Sequence, residues 1–191
     1  MVRRHIKRTY RVGKYVVYRE TLVDYKEKIW SFIGSFSGIG LIAWIQHLFL
    51  NEQDNLFLIG SFGASSVLIY GVIQSPLAQP RNLIFGHLIS ALIGVTIAQF
   101  FGGPVWLAAP FAVSLSIIAM QYTKSLHPPG GATALIAVSG SAKLKALGYF
   151  YVLFPVLSGV LILLVVALLV NNMTPLRQYP AKGKPWYRNL F

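Results

Sequence analysis

The sequence predicts an all-α, polytopic membrane protein of about six transmembrane helices. Hydrophobic residues make up 55% of the 191 residues, and charged residues make up 12%, about half the share in an average soluble domain. The mean hydropathy is +0.59. All five acidic residues precede residue 55, and the chain beyond them consists mainly of long apolar runs. This composition fits a lipid environment and excludes an ordinary water-soluble domain.

The first 28 residues are predicted to form a basic segment on the cytoplasmic side or at the membrane interface. They hold nine of the 17 Lys and Arg residues. Residues 14–28 are partly amphipathic, so we expect a helix on the inner membrane face, with a disordered basic tail as the alternative. No cleavable signal is expected, because the segment lacks a short apolar core followed by a small-residue cleavage site. The net charge of +12 is ascribed to membrane flanks, and nucleic acid is not expected as a partner.

Six apolar runs follow, separated by short polar turns. The first four are residues 29–50, 56–74, 83–101 and 105–122. The fifth, residues 130–140, is shorter than the roughly 20 residues that a crossing needs, and the sixth, residues 147–170, is the most apolar. Residues 172–191 form a basic tail. Six crossings place both termini in the cytoplasm, where Lys and Arg accumulate. A re-entrant segment over residues 130–142, with the tail outside, is the alternative.

Small residues repeat at four-residue intervals in two of the runs. Gly34 and Gly38 lie in the first run, and Gly86, Ser90 and Gly94 lie in the third. Such spacing allows helices to approach one another closely in a membrane. The face in the third run also suggests a homo-oligomer.

Two segments 68 residues apart resemble each other. Residues 63–69 read Gly-Ala-Ser-Ser-Val-Leu-Ile, and residues 131–137 read Gly-Ala-Thr-Ala-Leu-Ile-Ala. Each lies in the middle run of three, which indicates two three-helix units of opposite orientation. Gly and Ser over residues 60–66, and the Pro-Pro-Gly-Gly sequence after His127, predict that both middle helices are broken or short.

The apolar region excludes most catalytic chemistry. Residues 56–170 contain no Asp or Glu, so we expect no carboxylate proton relay, no paired-carboxylate hydrolase and no carboxylate-bound metal. The chain has no cysteine, and its four histidines do not follow a metal-ligand spacing. We therefore expect neither an enzyme nor a cofactor.

The broken middle helices instead predict a site for a small anion. A helix N-terminus carries a partial positive charge and free N–H donors, and two such ends that face each other would bind an anion beside Ser and Thr hydroxyls. The predicted binding residues are Gly63, Ala64, Ser65, Ser66, His127, Pro128, Pro129, Gly130, Gly131, Ala132 and Thr133. Arg81, His87 and Lys124 are predicted to line a vestibule.

Structural roles are alternatives to the anion site for three sets of residues. The small residues of both middle segments could serve only close helix packing. His127 could donate to a loop carbonyl and fix the Pro-Pro turn, or it could attract an anion or gate its passage by protonation. His87 could be a packing histidine with satisfied hydrogen bonds.

The His127-Pro128-Pro129 sequence, followed by residues 130–135, resembles the signature of the HPP family of integral membrane proteins. Residues 60–65, residues 75–82 and the Gly86-His87 pair are similar to a second block of that family. Together these blocks and the Trp186 ending cover about residues 30–186.

The resemblance implies a transmembrane domain over residues 29–171 and transport of nitrite, as associated with plant and cyanobacterial members. Some members carry C-terminal CBS domains; none is expected here. The bacterial inner membrane is the expected location. The alternatives are a pathway for nitrate, formate or a neutral solute, and a membrane subunit that packs a partner without transporting.

Overall fold

The structure, a computed structural model, describes residues 24–181 except Gly102, Leu176 and the side chain of Phe57. Its regular elements in these residues are helices. Two π-helical turns, Val67–Gly71 and Val152–Leu157, extend α2 and precede α7. Of the predicted interfacial helix, residues 14–23 lie outside the described residues, and residues 25–28 belong to the first long helix. The tail beyond residue 181 also lies outside the described residues. The seven helices are α1 (Tyr25–His47), α2 (Glu52–Ser66), α3 (Pro80–Phe100), α4 (Val105–Tyr122), α5 (Pro128–Ser139), α6 (Ala142–Lys145) and α7 (Ser158–Val170).

Four helical segments are long and apolar enough to cross a membrane, which confirms a multi-pass membrane protein. They are Tyr25–His47, Pro80–Phe100, Val105–Tyr122 and Val152–Val170. Large apolar side chains such as Phe36, Trp44 and Trp106 are exposed on the outside of the bundle. A bilayer would cover these faces, because lipid chains solvate apolar side chains as well as a protein core does.

The helices begin where the sequence supplies partners for the first backbone N–H groups. The side chain of Asn51 accepts from the N–H of Asp54 at 2.8 Å and caps α2. Glu52 and Asp54 lie in the first turn of that helix, where negative charge is favourable. Helices α3 and α5 begin with proline, whose missing N–H would have had no partner in a first turn.

The prediction that the second run breaks at residues 60–66 is wrong. Helix α2 continues through these residues, because its Asn51 cap starts it upstream and an interior glycine costs only about 1 kcal/mol. The interruption comes later, at residues 72–79, which contain one 3₁₀ turn at Pro76–Ala78. The prediction of a short helix after His127 is confirmed, since α5 has 12 residues.

One end of the bundle gathers three connections. Residues 72–79, residues 123–127 and the tail after α7 meet there. Arg81 donates to the Thr123 carbonyl at 2.7 Å, and the Tyr179 hydroxyl donates to the Ala78 carbonyl at 2.6 Å. The start of α1 lies at the same end, because Arg177 of the tail donates to the Glu27 carbonyl.

The connections from α1 to α2 and from α5 to α6 meet at the other end. Asp54 accepts from the backbone N–H of Ser141 at 3.0 Å and also binds the Ser141 hydroxyl. Asn51 donates to the same hydroxyl oxygen at 3.2 Å. Helices α2 and α5 therefore both run between the two ends of the bundle.

The small-residue face of α3 packs against α5, which confirms the predicted helix–helix contact at this face. A Cβ added to Gly94 would lie 2.7 Å from the Ala134 carbonyl, and one added to Gly130 would lie 2.7 Å from the Gly86 carbonyl. Gly86 in turn faces the side chain of His127. Because α5 of the same chain covers this face, the face gives no support to a homo-oligomer, which stays a prediction.

Candidate functional site

Five polar side chains from three apolar helices meet inside the bundle, and we refer to them as the polar cluster. They are Ser61 and Ser65 of α2, His87 of α3, His127 at the start of α5, and Thr133 of α5. None is more than 2% exposed. A polar group buried in a dry interior is costly unless it finds a hydrogen-bond partner, so the partners of these five decide what the cluster can do.

The five side chains form one continuous row of polar contacts at hydrogen-bond distance. Ser65 Oγ lies 3.0 Å from His127 Nε2 and 2.8 Å from His87 Nε2. On its other side, His87 Nδ1 lies 2.7 Å from Thr133 Oγ1, which lies 3.0 Å from Ser61 Oγ. The two imidazole centroids are 5.0 Å apart. At this distance, a positive charge on one imidazole disfavours a second positive charge on the other.

Each end of the row is closed by a backbone carbonyl. His127 Nδ1 lies 2.9 Å from the Leu77 carbonyl oxygen, and the Ser61 hydroxyl donates to the Pro129 carbonyl at 3.0 Å. The sequence-based interpretation that His127 contacts a loop carbonyl is confirmed. A carbonyl oxygen only accepts, so His127 carries its hydrogen on Nδ1.

That constraint sets the direction of the row when both imidazoles are neutral. His127 Nε2 is then an acceptor, and the Ser65 hydroxyl donates to it. Ser65 Oγ in turn accepts from His87 Nε2–H, which leaves His87 Nδ1 to accept from the Thr133 hydroxyl. The neutral row thus has five hydrogens for six contacts. With Thr133 donating to His87 and Ser61 donating to the Pro129 carbonyl, the 3.0 Å contact between Thr133 and Ser61 holds no hydrogen.

The two segments that resemble each other meet at the same imidazole. Ser65 and Thr133 are equivalent positions in the 68-residue match, and each contacts one nitrogen of His87. Ser61 and Pro129 are also 68 residues apart and are hydrogen-bonded to each other. The internal similarity of the sequence thus coincides with a spatial arrangement around His87.

The prediction of two helix N-termini facing each other is wrong. Residues 63–66 lie at the C-terminal end of α2, whose N-terminus is at Glu52. Only the start of α5 adjoins the polar cluster among the described helices, with His127 immediately before its first residue. The physical reason is again the Asn51 cap, which starts α2 three turns earlier than the Gly-Ala-Ser sequence suggested.

The predicted binding residues divide into two groups. Ser65, His127 and Thr133 belong to the polar cluster, Pro129 supplies a carbonyl to it, and Gly130 lies against α3. Ser66 is buried, but its hydroxyl has no partner among the described residues. Of the remaining five, Ala64 and Pro128 are exposed, and Gly63, Gly131 and Ala132 are half-buried.

The three predicted vestibule residues also separate. His87 is fully buried, so it does not line an open vestibule; it is the centre of the polar cluster and has both ring nitrogens satisfied. Arg81 and Lys124 lie at the end of the bundle where residues 123–127 connect α4 to α5. A role for these two residues in concentrating anions stays a prediction.

Two structural features were not anticipated from the sequence. Ser61 is one helical turn before Ser65, and that four-residue spacing is a signal that could have identified it. The second feature is a pair of tail residues, Arg177 and Tyr179, which we call the tail clasp. Both are buried, with 2% and 1% exposure.

The tail clasp binds the backbone of two segments next to the polar cluster, the π-helical extension of α2 and the loop that contains Leu77. Arg177 donates to the Tyr70 carbonyl at 2.7 Å, where the π-helical extension of α2 ends, and pairs with Glu27 at 3.3 Å. Burial lowers the pKa of Arg177, and the Glu27 carboxylate opposes that shift. Tyr179 binds the carbonyl next to Leu77, and burial raises the pKa of its hydroxyl. The clasp thus fixes the loop whose carbonyl orients His127.

Comparisons with known proteins assign the whole described region to one family. The family model for the transmembrane region of HPP proteins matches residues 20–180. Two relatives from Dictyostelium discoideum, each named only as a transmembrane protein, are both 47% identical to the chain. The aligned regions cover 82% and 85% of this chain, and 51% and 58% of the relatives. The chain thus spans about half the length of the relatives it matches. No solved structure matches it significantly.

Proposed function

Because the chain belongs to the HPP transmembrane family, we propose that it is a transporter or channel for a small monovalent anion, with nitrite as the first candidate. The nitrite assignment follows the plant and cyanobacterial members that the sequence resembles. The observation that carries the proposal is the polar cluster, which lies buried between apolar helices. Polar and ionisable residues inside a membrane are costly and commonly mark a solute pathway.

The chemistry of the cluster fits an anion better than a cation. Its two imidazoles and three hydroxyls carry N–H and O–H donors that serve one another in the closed row, and opening of the row would direct them to an anion in place of part of its hydration shell. The N-terminal end of α5 adds a partial positive charge beside His127. No Asp or Glu occurs between residues 56 and 170 to attract a cation. No fixed Lys or Arg charge lies in the cluster either, so a bound anion would be released readily.

We further propose six crossings in two inverted three-helix units. Helix α2 and its π-helical turn make 15 and 5 residues, a continuous helical length of about one crossing. Helices α2 and α5 both connect the two ends of the bundle, and Ser65 and Thr133 flank His87 from equivalent positions. In this arrangement both termini lie on the cytoplasmic side. The bacterial inner membrane stays a prediction, since the matched relatives come from Dictyostelium discoideum.

Nitrite flux into proteoliposomes tests the proposal. The purified protein is reconstituted, and nitrite entry is compared with entry into protein-free liposomes at a pH well above the pKa of nitrous acid. We expect entry that saturates with nitrite concentration and far exceeds the control. Nitrate and formate are run in parallel to establish selectivity. Protein that is folded and inserted but gives no flux above the control would overturn the nitrite assignment.

A further inference from the structure

We propose that the polar cluster takes up one proton with each anion, so that transport is proton-coupled and electroneutral. The inference rests on the proposed function and concerns the same site. It is carried by the hydrogen-bond row from His127 through Ser65, His87 and Thr133 to Ser61, whose five members are at most 2% exposed.

The row can hold one additional proton without losing a hydrogen bond. A proton arriving at His87 Nδ1 makes it a donor to Thr133 Oγ1, and the Thr133 hydroxyl turns to donate to Ser61 Oγ. His87 then releases its Nε2 proton to Ser65 Oγ, while the former Ser65 proton moves to His127 Nε2. One proton has entered, His87 has changed tautomer, and the positive charge resides on His127.

Both ends of the row accommodate this reversal. Ser61 keeps its donation to the Pro129 carbonyl at 3.0 Å and accepts from Thr133. His127 keeps Nδ1–H on the Leu77 carbonyl at 2.9 Å and now also donates from Nε2. The distances in the row, 2.7 to 3.0 Å, are ordinary for either direction of donation.

A charged imidazole in this place requires a counter-charge, which the anion supplies. The charge would appear at His127, beside the N-terminus of α5, where an anion is also favoured. No carboxylate occurs between residues 56 and 170 to neutralise it. Proton uptake and anion binding therefore stabilise each other by linkage.

The surrounding charged and titratable groups leave the two imidazoles as the proton acceptors. From the segment before α7, the Tyr151 hydroxyl donates to the Thr133 carbonyl at 2.9 Å. From the tail, Tyr179 binds next to Leu77. Arg81 of α3 binds the Thr123 carbonyl. Helix α2 presents Phe62, whose ring centroid lies 5.5 Å from that of His87, and α4 presents Met120 to Ser90 of α3. Lys124 is exposed in the connection before His127, and Asp54 is bound to Ser141 at the opposite end of the bundle. Imidazole alone among these groups ordinarily changes charge near neutral pH.

Proton movement during nitrite uptake tests the coupling. Proteoliposomes with an alkaline lumen are given nitrite while a potassium diffusion potential is imposed or clamped at zero, and external pH is recorded together with nitrite entry. We expect about one proton per nitrite ion and no dependence on the potential. Protein-free liposomes measure the diffusion of nitrous acid, which also carries a proton. Flux that follows the potential without proton movement would overturn the coupling and leave the proposed function intact. No flux at all would overturn both.

Two matched variants separate a proton pathway from simple packing. Thr133→Val removes the hydroxyl from the row with little change of shape, whereas Thr133→Ser keeps it. We expect Thr133→Val to lower the proton-to-nitrite ratio at least several-fold, and Thr133→Ser to retain it. Equal ratios in both variants, from folded protein, would overturn the role of the row.

A spectroscopic measurement tests the row independently of transport. Nitrogen-15 resonances of labelled histidine distinguish the two neutral tautomers and the imidazolium. In the substrate-free protein at alkaline pH, we expect Nδ1–H on His127 and Nε2–H on His87. Addition of nitrite at lower pH should produce one imidazolium. Nε2–H on both residues, or no protonation with nitrite, would contradict the proposal.

Discussion

Gly130 and Gly131 are adjacent in sequence and differ sharply in their surroundings. A methyl group on Gly130 would meet the Gly86 carbonyl at 2.7 Å and Ser90 Oγ at 2.8 Å. A methyl group on Gly131 would meet only Val113, at 3.7 Å, an ordinary contact. The close approach of α5 to α3, and with it the geometry of the polar cluster, therefore depends on Gly130.

We predict that Gly130→Ala destabilises the protein by about 1–3 kcal/mol, because the added carbon overpacks a backbone contact. Gly131→Ala is the matched control and should gain up to about 1 kcal/mol of stability, because alanine favours a helix interior over glycine and the added carbon meets no close contact. Thermal unfolding in detergent, followed by circular dichroism, measures the difference. Equal midpoints for the two variants would show that α5 does not approach α3 as closely as described.

The individual residues of the site were only partly predictable. The short helix after His127 could be inferred from the Pro-Pro turn, because a local sequence restricts the local backbone. The carbonyl that His127 contacts belongs to Leu77, 50 residues earlier in the chain. His87 was interpreted as both a packing histidine and a vestibule residue, and only its neighbours from α2 and α5 decide between these. Ser61 and Arg177 depend on contacts 72 and 107 residues away in the chain. Sequence periodicity carries no information about such pairings.

At the scale of elements, the tail after α7 is part of the transmembrane unit. Tyr179 reaches the Ala78 carbonyl and thereby holds the loop that contains Leu77. Asn172 fixes Tyr179 from both sides, donating to its carbonyl at 2.6 Å and accepting from its N–H at 3.1 Å. A short segment beyond the last apolar helix thus sets the position of a carbonyl that orients His127.

We predict that Tyr179 makes the protein less stable in alkaline solution. Burial raises the pKa of Tyr179 above its usual value near 10. The unfolded chain therefore loses this proton before the folded chain does. The stabilisation by the buried neutral hydroxyl is complete below about pH 10 and declines as pH rises from there towards the higher pKa of the folded state.

Tyr179→Phe removes that titration and one hydrogen bond. The variant should lose about 1 kcal/mol at neutral pH and show a shallower loss of stability above about pH 10. Unfolding midpoints across this pH range measure both effects, with Tyr149→Phe as a control, since Tyr149 is exposed. The same alkaline slope in wild type and Tyr179→Phe would assign the titration to other groups.

Element boundaries were predictable wherever a cap or a proline marks them. The apolar runs locate the six longer helical segments of the described residues. Helices α3 and α5 begin at Pro80 and Pro128, three and two residues before the predicted runs at 83 and 130, because proline is accepted in a first helical turn. The break expected in α2 did not occur, because small residues are tolerated in a helix that is capped upstream and packed on its neighbours. The π-helical turn Val67–Gly71 has no comparable signal, since its sequence is as apolar as the helix it extends, whereas Val152–Leu157 contains Pro155.

At the scale of the whole molecule, polarity is inverted relative to a soluble protein. The outside of the bundle carries exposed Phe, Trp, Leu and Ile side chains, whereas serine, threonine and histidine gather inside. Composition alone could predict the exterior. The interior cluster requires knowledge of which faces of α2, α3 and α5 meet, and the 68-residue similarity was the one feature of the sequence that indicated it.

The path of the chain through the membrane can be tested with single cysteines, because the natural sequence has none. Lys26→Cys, Lys143→Cys and Gln178→Cys place a thiol at exposed positions in the first turn of α1, in α6 and in the tail. The ion pair of Glu27 with Arg177 brings the first and third of these positions to the same end. The contact of Ser141 with Asp54 puts the second at the other end.

Six crossings predict that a membrane-impermeant maleimide, added to oriented vesicles, labels positions 26 and 178 from one side and position 143 from the opposite side. A re-entrant segment at residues 130–142 would instead pair position 143 with position 26 and leave position 178 opposite. Detergent-permeabilised vesicles show that each thiol can react. The pairing of position 178 therefore decides whether α5 crosses the membrane. If it does, the polar cluster lies between the two aqueous sides, the position that a transport site requires.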